Sequence, residues 1–193
     1  VLLNRDGRRF GDETVGYSEF GATVLAQPGG IAWALYDERI HAQLGAFADY
    51  QDLVAAGAIR WADDADGVAA ATDMPVEAVA ATLAENPRMA RGENGDPHGR
   101  RDWEAPLSPP YALVRVTGAL FHTQGGLRVD DRARVLRAGV PVPGLYAAGG
   151  AAVGISGHGA DGYLAGNGLL AALGLGWLAG RAHAATRGDT AVD

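Results

Sequence analysis

The stretch that most constrains this chain begins at Pro143-Gly-Leu-Tyr-Ala-Ala-Gly-Gly150, crosses a glycine-rich loop, and ends at Gly166-Asn-Gly-Leu-Leu170. Leu145 to Ala148 reads as a short buried strand ending on a glycine pair, and Asn167 opens a helix. Strand, pliable loop and helix N-terminus together let backbone N–H groups approach a flat or anionic ligand closely. Residues 164–180 are almost all apolar or small, which predicts a helix buried against a sheet and a ligand.

Two runs in this region, Gly157-His-Gly159-Ala-Asp-Gly162 and Gly174-Leu-Gly176-Trp-Leu-Ala179, match the G-x-G-x-x-G/A spacing of dinucleotide-binding turns. Such a turn follows a strand, opens a helix and is followed about 20 residues later by an acid. The first run leads into more loop and then to Arg181 and His183, and the second lies inside an apolar helical run. In a chain with 29 glycines both matches read as coincidence.

The chain is 193 residues long, enough for one domain or two small ones with a core. Ala and Gly supply much of its 48% hydrophobic content, and aromatics only 7%. Because glycine loses the most backbone entropy on folding, this composition predicts reliance on a partner segment or cofactor. A net charge of −7 argues against nucleic acid or an anionic membrane as partner. The absence of cysteine excludes disulfides and thiolate chemistry and fits a cytoplasmic protein. Glycines and Asn167 interrupt the apolar run from Leu164, so no membrane span is expected. Asp63, Asp64, Asp66 and the run Glu93 to Asp96 lack the spacing of a metal loop.

Along the chain, Val1 to Asn4 and Arg9-Phe10 read as strands around an Asp6-Gly7 turn, and Thr14 to Gln27 as irregular or weakly helical. Gly30 to Tyr36 reads as a strand. A helix from Asp37 follows, burying Ile40, Leu44 and Phe47, and a second spans Gln51 to Ala56, closed by Gly57. Asp63 to Ala71 predicts a short helix. Asp73 caps another with Val76, Val79, Ala80 and Leu83 on its apolar face, ended by Pro87. Residues 88–106 read as a surface loop, Tyr111 to Val116 as a strand, and 127–130 with 133–136 as a hairpin.

Several of these segments resemble one family. Residues 143–150 are similar to the "PGLYAAGE" strand, and 162–169 to the "RLGGNSL" helix start, of the FAD-dependent fumarate reductase, succinate dehydrogenase and 3-ketosteroid dehydrogenase superfamily. "NRDGRRFGDE" at 4–13 resembles its "NREGKRFVNE", and "PPYALVRVTGALFHTQGG" at 109–126 its "PYYAIEVTPGVHHTMGG". The resemblance implies an α/β (α+β) fold, with residues 1–121 a helical/β cap (substrate) domain and 122–193 the C-terminal portion of a Rossmann-like FAD-binding domain. The family carries its dinucleotide fingerprint near the N-terminus, and this chain opens at Val1 without Met. The expectation is therefore the C-terminal part of a larger flavoprotein, with the N-terminal dinucleotide-binding half as its missing partner.

The resemblance also implies a site. FAD would meet Gly149, Gly150, Gly166, Asn167, Gly168, Leu169 and Leu170, the helix start aiming about half a positive charge at the flavin's pyrimidine edge. The same residues also read as a helix start capped by Asn167 with no ligand. Gly150 stands where the family has Glu. Thr123, Gly125 and Gly126 would form a loop near substrate and flavin, after His122, which in fumarate reductases binds a substrate carboxylate; it also reads as a strand-end histidine bonded to a carbonyl. The family's three functional arginines are absent: Tyr163, His41 and Tyr17 stand in their places, although Glu13 is kept and Arg39 lies two residues from His41. Arginine pairs bidentately with carboxylates, so their loss argues against fumarate and for a neutral enone or ketone. His122 and Tyr163 would polarise its carbonyl, and His41 or a nearby Arg exchange the proton. Tyr163 also reads as a loop aromatic packed on the helix, and His41 as a solvent-facing helix residue. The pliable loop around His158 and Asp161 argues against a proton-transfer pair there. The function expected is part of a flavin-dependent oxidoreductase moving hydride and proton at a carbon–carbon bond next to a carbonyl. The alternative is a non-catalytic flavin-binding or interaction module pairing with a separate N-terminal chain.

Overall fold

The computed structural model of the protein describes residues 1–119, 124–159 and 162–187, the side chains of Tyr17, Ser18 and Arg187 excepted. The chain divides into two units, Val1–Ala119 and Leu120–Asp193.

The first unit is built on an antiparallel sheet of order β1-β2-β4-β3, with β1 Leu2–Leu3, β2 Ile31–Asp37, β3 Ile59–Ala62 and β4 Tyr111–Thr117. Strand side chains alternate between faces, and here both faces are apolar. Trp33 and Leu35 of β2, with Tyr111 and Leu113 of β4, pack on Val68, Met74 and Val79 from helices α4 Ala65–Thr72 and α5 Val76–Ala90 and the turn between them. Ala32 meets Phe20 and Val24 of α1 Tyr17–Leu25. Tyr36, Ala112 and Val114 meet Ile40 and Leu44 of α2 Glu38–Leu44, and Tyr50 and Leu53 of α3 Ala48–Ala55. The central strands IAWALYD and YALVRVT thus lie between two helical layers, which explains why they carry so few outward polar residues.

Several expectations are corrected. Thr14 to Gln27, read as irregular or weakly helical, contains the nine-residue helix α1, because Phe20 and Val24 find an apolar face to cover. Arg9-Phe10 forms no strand; β1 pairs with β2 instead. Phe47 starts α3 and is 63% exposed rather than buried. Asp73 does not cap α5 but closes α4 in the left-handed region, φ 59°, while Pro75 stands at the α5 N-cap. Pro87 lies inside α5, which continues to Ala90; Met89 is buried and Asn86 Oδ1 accepts the Leu107 N–H, contacts that favour the extra turn. β3 had no counterpart in the sequence reading.

The second unit contains β5 Arg134–Arg137 paired with β6 Val140–Tyr146 across a two-residue loop in which Ala138 (φ 50°) and Gly139 (φ 82°) are both left-handed, as a tight right-twisted hairpin requires. Residues 127–130 are tied by isolated bridges, Leu127 to Ala152 and Val129 to Val135, rather than forming a full hairpin strand. A 3-10 turn at Gly149–Ala151 follows, and the unit ends in α6 Asn167–Arg187. Its core is small: Val135, Ala147 and Ala152, joined by Val129 and Leu175. Two burial expectations fail here. Leu145 is 45% exposed, and along α6 Leu169 (74%), Leu170 (60%), Leu173 (74%) and Trp177 (59%) face outward. A helix apolar on every side can bury only one face against so small a core.

Candidate functional site

Each unit carries part of the expected site. In the first, β2 ends at Asp37, whose buried carboxylate accepts the Ile40 N–H at 3.2 Å and so starts α2. One turn on, His41 is half-buried rather than solvent-facing. Its Nδ1 lies 2.7 Å from Tyr50 Oη, and Tyr50 Oη lies 2.8 Å from Tyr36 Oη. Edge-on contacts hold the imidazole against Tyr50 (5.5 Å between centroids) and Trp61 (5.1 Å). Burial, together with the hydrogen bond to Tyr50, pushes the Tyr36 phenol up. Arg39 is engaged elsewhere: its Nη1 lies 2.7 Å from Glu104 Oε1 and its Nε 3.9 Å from Asp37 Oδ1. The cation nearest His41 in sequence therefore already faces two carboxylates.

Glu13 is a hub of the same unit. It accepts Arg9 Nε at 2.9 Å and Nη2 at 2.7 Å, Arg100 Nη1 at 3.2 Å and the Leu2 N–H at 3.0 Å. Arg9 also pairs with Asp96. An open groove of about 960 Å³ lies beside Arg9, lined also by Arg8, Glu77, Thr82 and His98, and contains none of the expected site residues.

In the second unit, Ser156 organises the helix start. Its Oγ accepts Asn167 Nδ2 at 2.6 Å and the Leu164 N–H at 3.1 Å. Asn167 is buried, and Gly166 is left-handed, φ 79°. The Asn167 and Leu170 N–H groups are bonded to Leu164 and Gly166 carbonyls, so they are not left for a ligand. Among the described residues, the Gly168 and Leu169 N–H groups have no partner. A Cβ added at Gly150, Gly168 or Gly125 would meet nothing within 4 Å. Gly126 differs: a Cβ there would stand 2.4 Å from the Ala152 carbonyl, so its smallness serves backbone packing. Gly149, φ 56°, approaches Ala172 of α6. Two free N–H donors at a helix start beside open glycine positions fit a flat, carbonyl-edged cofactor such as the flavin of FAD. Tyr163 lies in the bend before α6, 36% exposed. His122, Thr123 and Asp161 lie outside the described residues.

Sequence reasoning singled out His41 and the helix start and did not name their hydrogen-bond partners Tyr50 and Ser156, nor Tyr36 behind Tyr50. Tyr50 stands on a separate helix nine residues away, so no single-helix spacing links it to His41.

The family model described as the FAD binding domain matches residues 1–169. The chain belongs to this FAD-binding domain family. Relatives within reach include the probable fumarate reductase Ifc3 of Shewanella frigidimarina (strain NCIMB 400), 30% identical over 82% of this chain and 27% of the relative. The 4-oxocyclohex-2-ene-1-carboxylate 5-dehydrogenase of Sinomonas cyclohexanicum is 32% identical over 94% of this chain and 35% of its own length. Among solved structures, the open conformation of a flavocytochrome c3 fumarate reductase superposes with a TM-score of 0.76 at 28% identity, covering 98% of this chain and 33% of that one. The chain thus spans about a third of the length of the proteins it resembles. Its mixed α/β fold matches part of the flavocytochrome fold, and its family is one that binds FAD. Among the described residues no helix is long and apolar enough to cross a membrane.

Proposed function

We propose that this chain is part of an FAD-dependent oxidoreductase that moves a hydride and a proton at a carbon–carbon bond next to a carbonyl, acting on a neutral enone or ketone rather than fumarate. The observation that carries this reading is His41, hydrogen-bonded to Tyr50 at 2.7 Å, at the position where fumarate-reducing relatives are expected to hold an arginine. An imidazole so held can exchange a proton but cannot grip a carboxylate bidentately. Kinship to a dehydrogenase whose name specifies a cyclic enone, itself a monocarboxylate, supports the enone part of this reading and not the neutrality of the substrate.

In this reading FAD, when bound, supplies a two-electron acceptor and donor of hydride. The Gly168 and Leu169 N–H groups hold its carbonyl edge. Of this chain's own residues, His41 in the first unit would exchange the proton, and Tyr163 and His122 in the second are the hydrogen-bond donors expected for a substrate carbonyl. The partner is the remainder of the longer protein. The third of the relatives' length that this chain spans, and the exposed apolar residues of α6, support that part.

The test is steady-state kinetics on the full-length protein that carries this chain, with a cyclohexenone or cyclic ketone beside fumarate. The ketone or enone is expected to be preferred in kcat/KM by at least about tenfold, since fumarate lacks its bidentate cations. Comparable turnover of fumarate would overturn the reading.

A further inference from the structure

The row Tyr36, Tyr50, His41 has a direction. Tyr36 Oη lies 2.8 Å from Tyr50 Oη, which lies 2.7 Å from His41 Nδ1. Tyr36 is 7% exposed, and among the described residues its hydroxyl has Tyr50 as its one hydrogen-bond partner. A buried hydroxyl that leaves its proton unpaired is destabilised by about 1–3 kcal/mol, so Tyr36 donates to Tyr50. The phenol of Tyr36 is pushed up by burial and by this bond, which keeps it a donor. The one proton of Tyr50 then goes to His41 Nδ1, which must be bare to accept it. A neutral imidazole with a bare Nδ1 carries its proton on Nε2.

We propose that Tyr50, backed by Tyr36, is a positioning residue that fixes His41 as the Nε2–H tautomer and so makes Nε2–H the group offered to substrate. Three elements meet to do this: Tyr36 comes from β2, His41 from α2 and Tyr50 from α3. The edge-on contacts with Tyr50 and Trp61 hold the ring plane. Among the described residues Nε2 has no hydrogen-bond partner, so the chain leaves that nitrogen uncommitted. Successive hydroxyl donors polarise one another, so the row strengthens the bond that selects the tautomer. The catalytic consequence rests on the role proposed for His41. As the Nε2 proton goes to the substrate carbon, Nδ1 takes the Tyr50 proton, so the imidazole stays neutral and the negative charge falls on the tyrosine pair until solvent reprotonates it. The tautomer itself does not depend on that role.

The experiment uses the full-length flavoprotein with 15N-labelled histidine, unsubstituted and as Tyr50→Phe and Tyr36→Phe. Long-range 1H–15N correlation spectra report which ring nitrogen is protonated, beside kcat and KM per bound flavin. Expected are a bare Nδ1 in the unsubstituted protein and mixed tautomers in Tyr50→Phe. That variant's flavin-normalised kcat should fall by about tenfold or more with little change in KM. Tyr36→Phe, which leaves Tyr50 to donate, should keep the tautomer and lose less. A protonated Nδ1 in the unsubstituted protein overturns the proposal without any variant, as does a tautomer indifferent to Tyr50→Phe. A bare Nδ1 that Tyr50→Phe disturbs, with unchanged turnover per flavin, supports the positioning and overturns the catalytic role of His41.

Discussion

Glu13 accepts four hydrogen bonds, from Arg9, Arg100 and the Leu2 N–H. The sequence marks it only as a carboxylate kept from a family motif. The structure gives it a different character. Burial alone would push the carboxyl up, but the Arg9 hydrogen bonds, the charge of the Val1 α-amino group, the Leu2 N–H and the charge of Arg9 outweigh burial and bring it down to about 2. A carboxyl that is ionised throughout the neutral range braces the cations around it. Arg9 and Arg100 also stack over Trp103, at 5.1 and 3.9 Å, so three segments meet at one anion. Because the folded value lies below the ordinary 4.5, the stabilisation is complete above about pH 4.5 and is lost as pH falls toward 2. A depression of this size corresponds to about 3 kcal/mol. Glu13→Gln is expected to lower the urea stability of the full-length protein, where the Val1 charge does not contribute, by about 1–2 kcal/mol at pH 7, and by less than half of that at pH 3. An equal loss at both pH values would show that the charge of Glu13 is not what stabilises.

At the scale of elements, legibility followed how far each segment could be decided locally. β2 and β4 were readable because long apolar runs bounded by turns leave few alternatives, and Gly57 (φ 68°) marked the end of α3 as glycine does when the chain turns left-handed. α1 was not readable. Gly16 precedes it, Gly21 sits within it, and its stability comes from Phe20 and Val24 packing on Ala32, contacts far apart in sequence. β3 is four residues long and exists through pairing with β4, so it too is a tertiary fact. The β2–α2 junction is the local device that matters most for the site, since Asp37 ends the strand, caps the helix and sets His41 one turn on. Asp37→Ala should reduce stability by about 1–2 kcal/mol in chemical denaturation, whereas Asp37→Asn, which keeps a side-chain oxygen for the Ile40 N–H, should lose less than about half of that. Equal losses in the two variants would mean that the buried charge beside Arg39, not the cap, is what Asp37 supplies.

Across the whole molecule the apolar residues are unevenly used. The first unit covers both faces of its sheet, while the second buries a few small side chains and leaves the leucines and Trp177 of α6 outside. The sequence showed that α6 is apolar all round, but periodicity says nothing about whether the cover lies within the same chain. Contiguous exposed apolar surface of this kind marks an interaction face. The chain spans only about a third of the length of the relatives it matches, and among the described residues the start of α6 leaves two N–H groups uncommitted, with open glycine positions and with glycine at 150, where the family resemblance implies Glu. Neutral N–H donors contribute about 1 kcal/mol each net of water, too little to hold a large dinucleotide alone. The isolated 193-residue chain is therefore expected to bind FAD weakly or not at all, while the full-length protein keeps it through gel filtration. Fluorescence titration of FAD with each protein makes the comparison, and a circular dichroism melt of the isolated chain separates weak binding from failure to fold. A folded isolated chain that purifies yellow with one FAD per chain would show that the grip lies within these residues, and that the exposed face of α6 has another use.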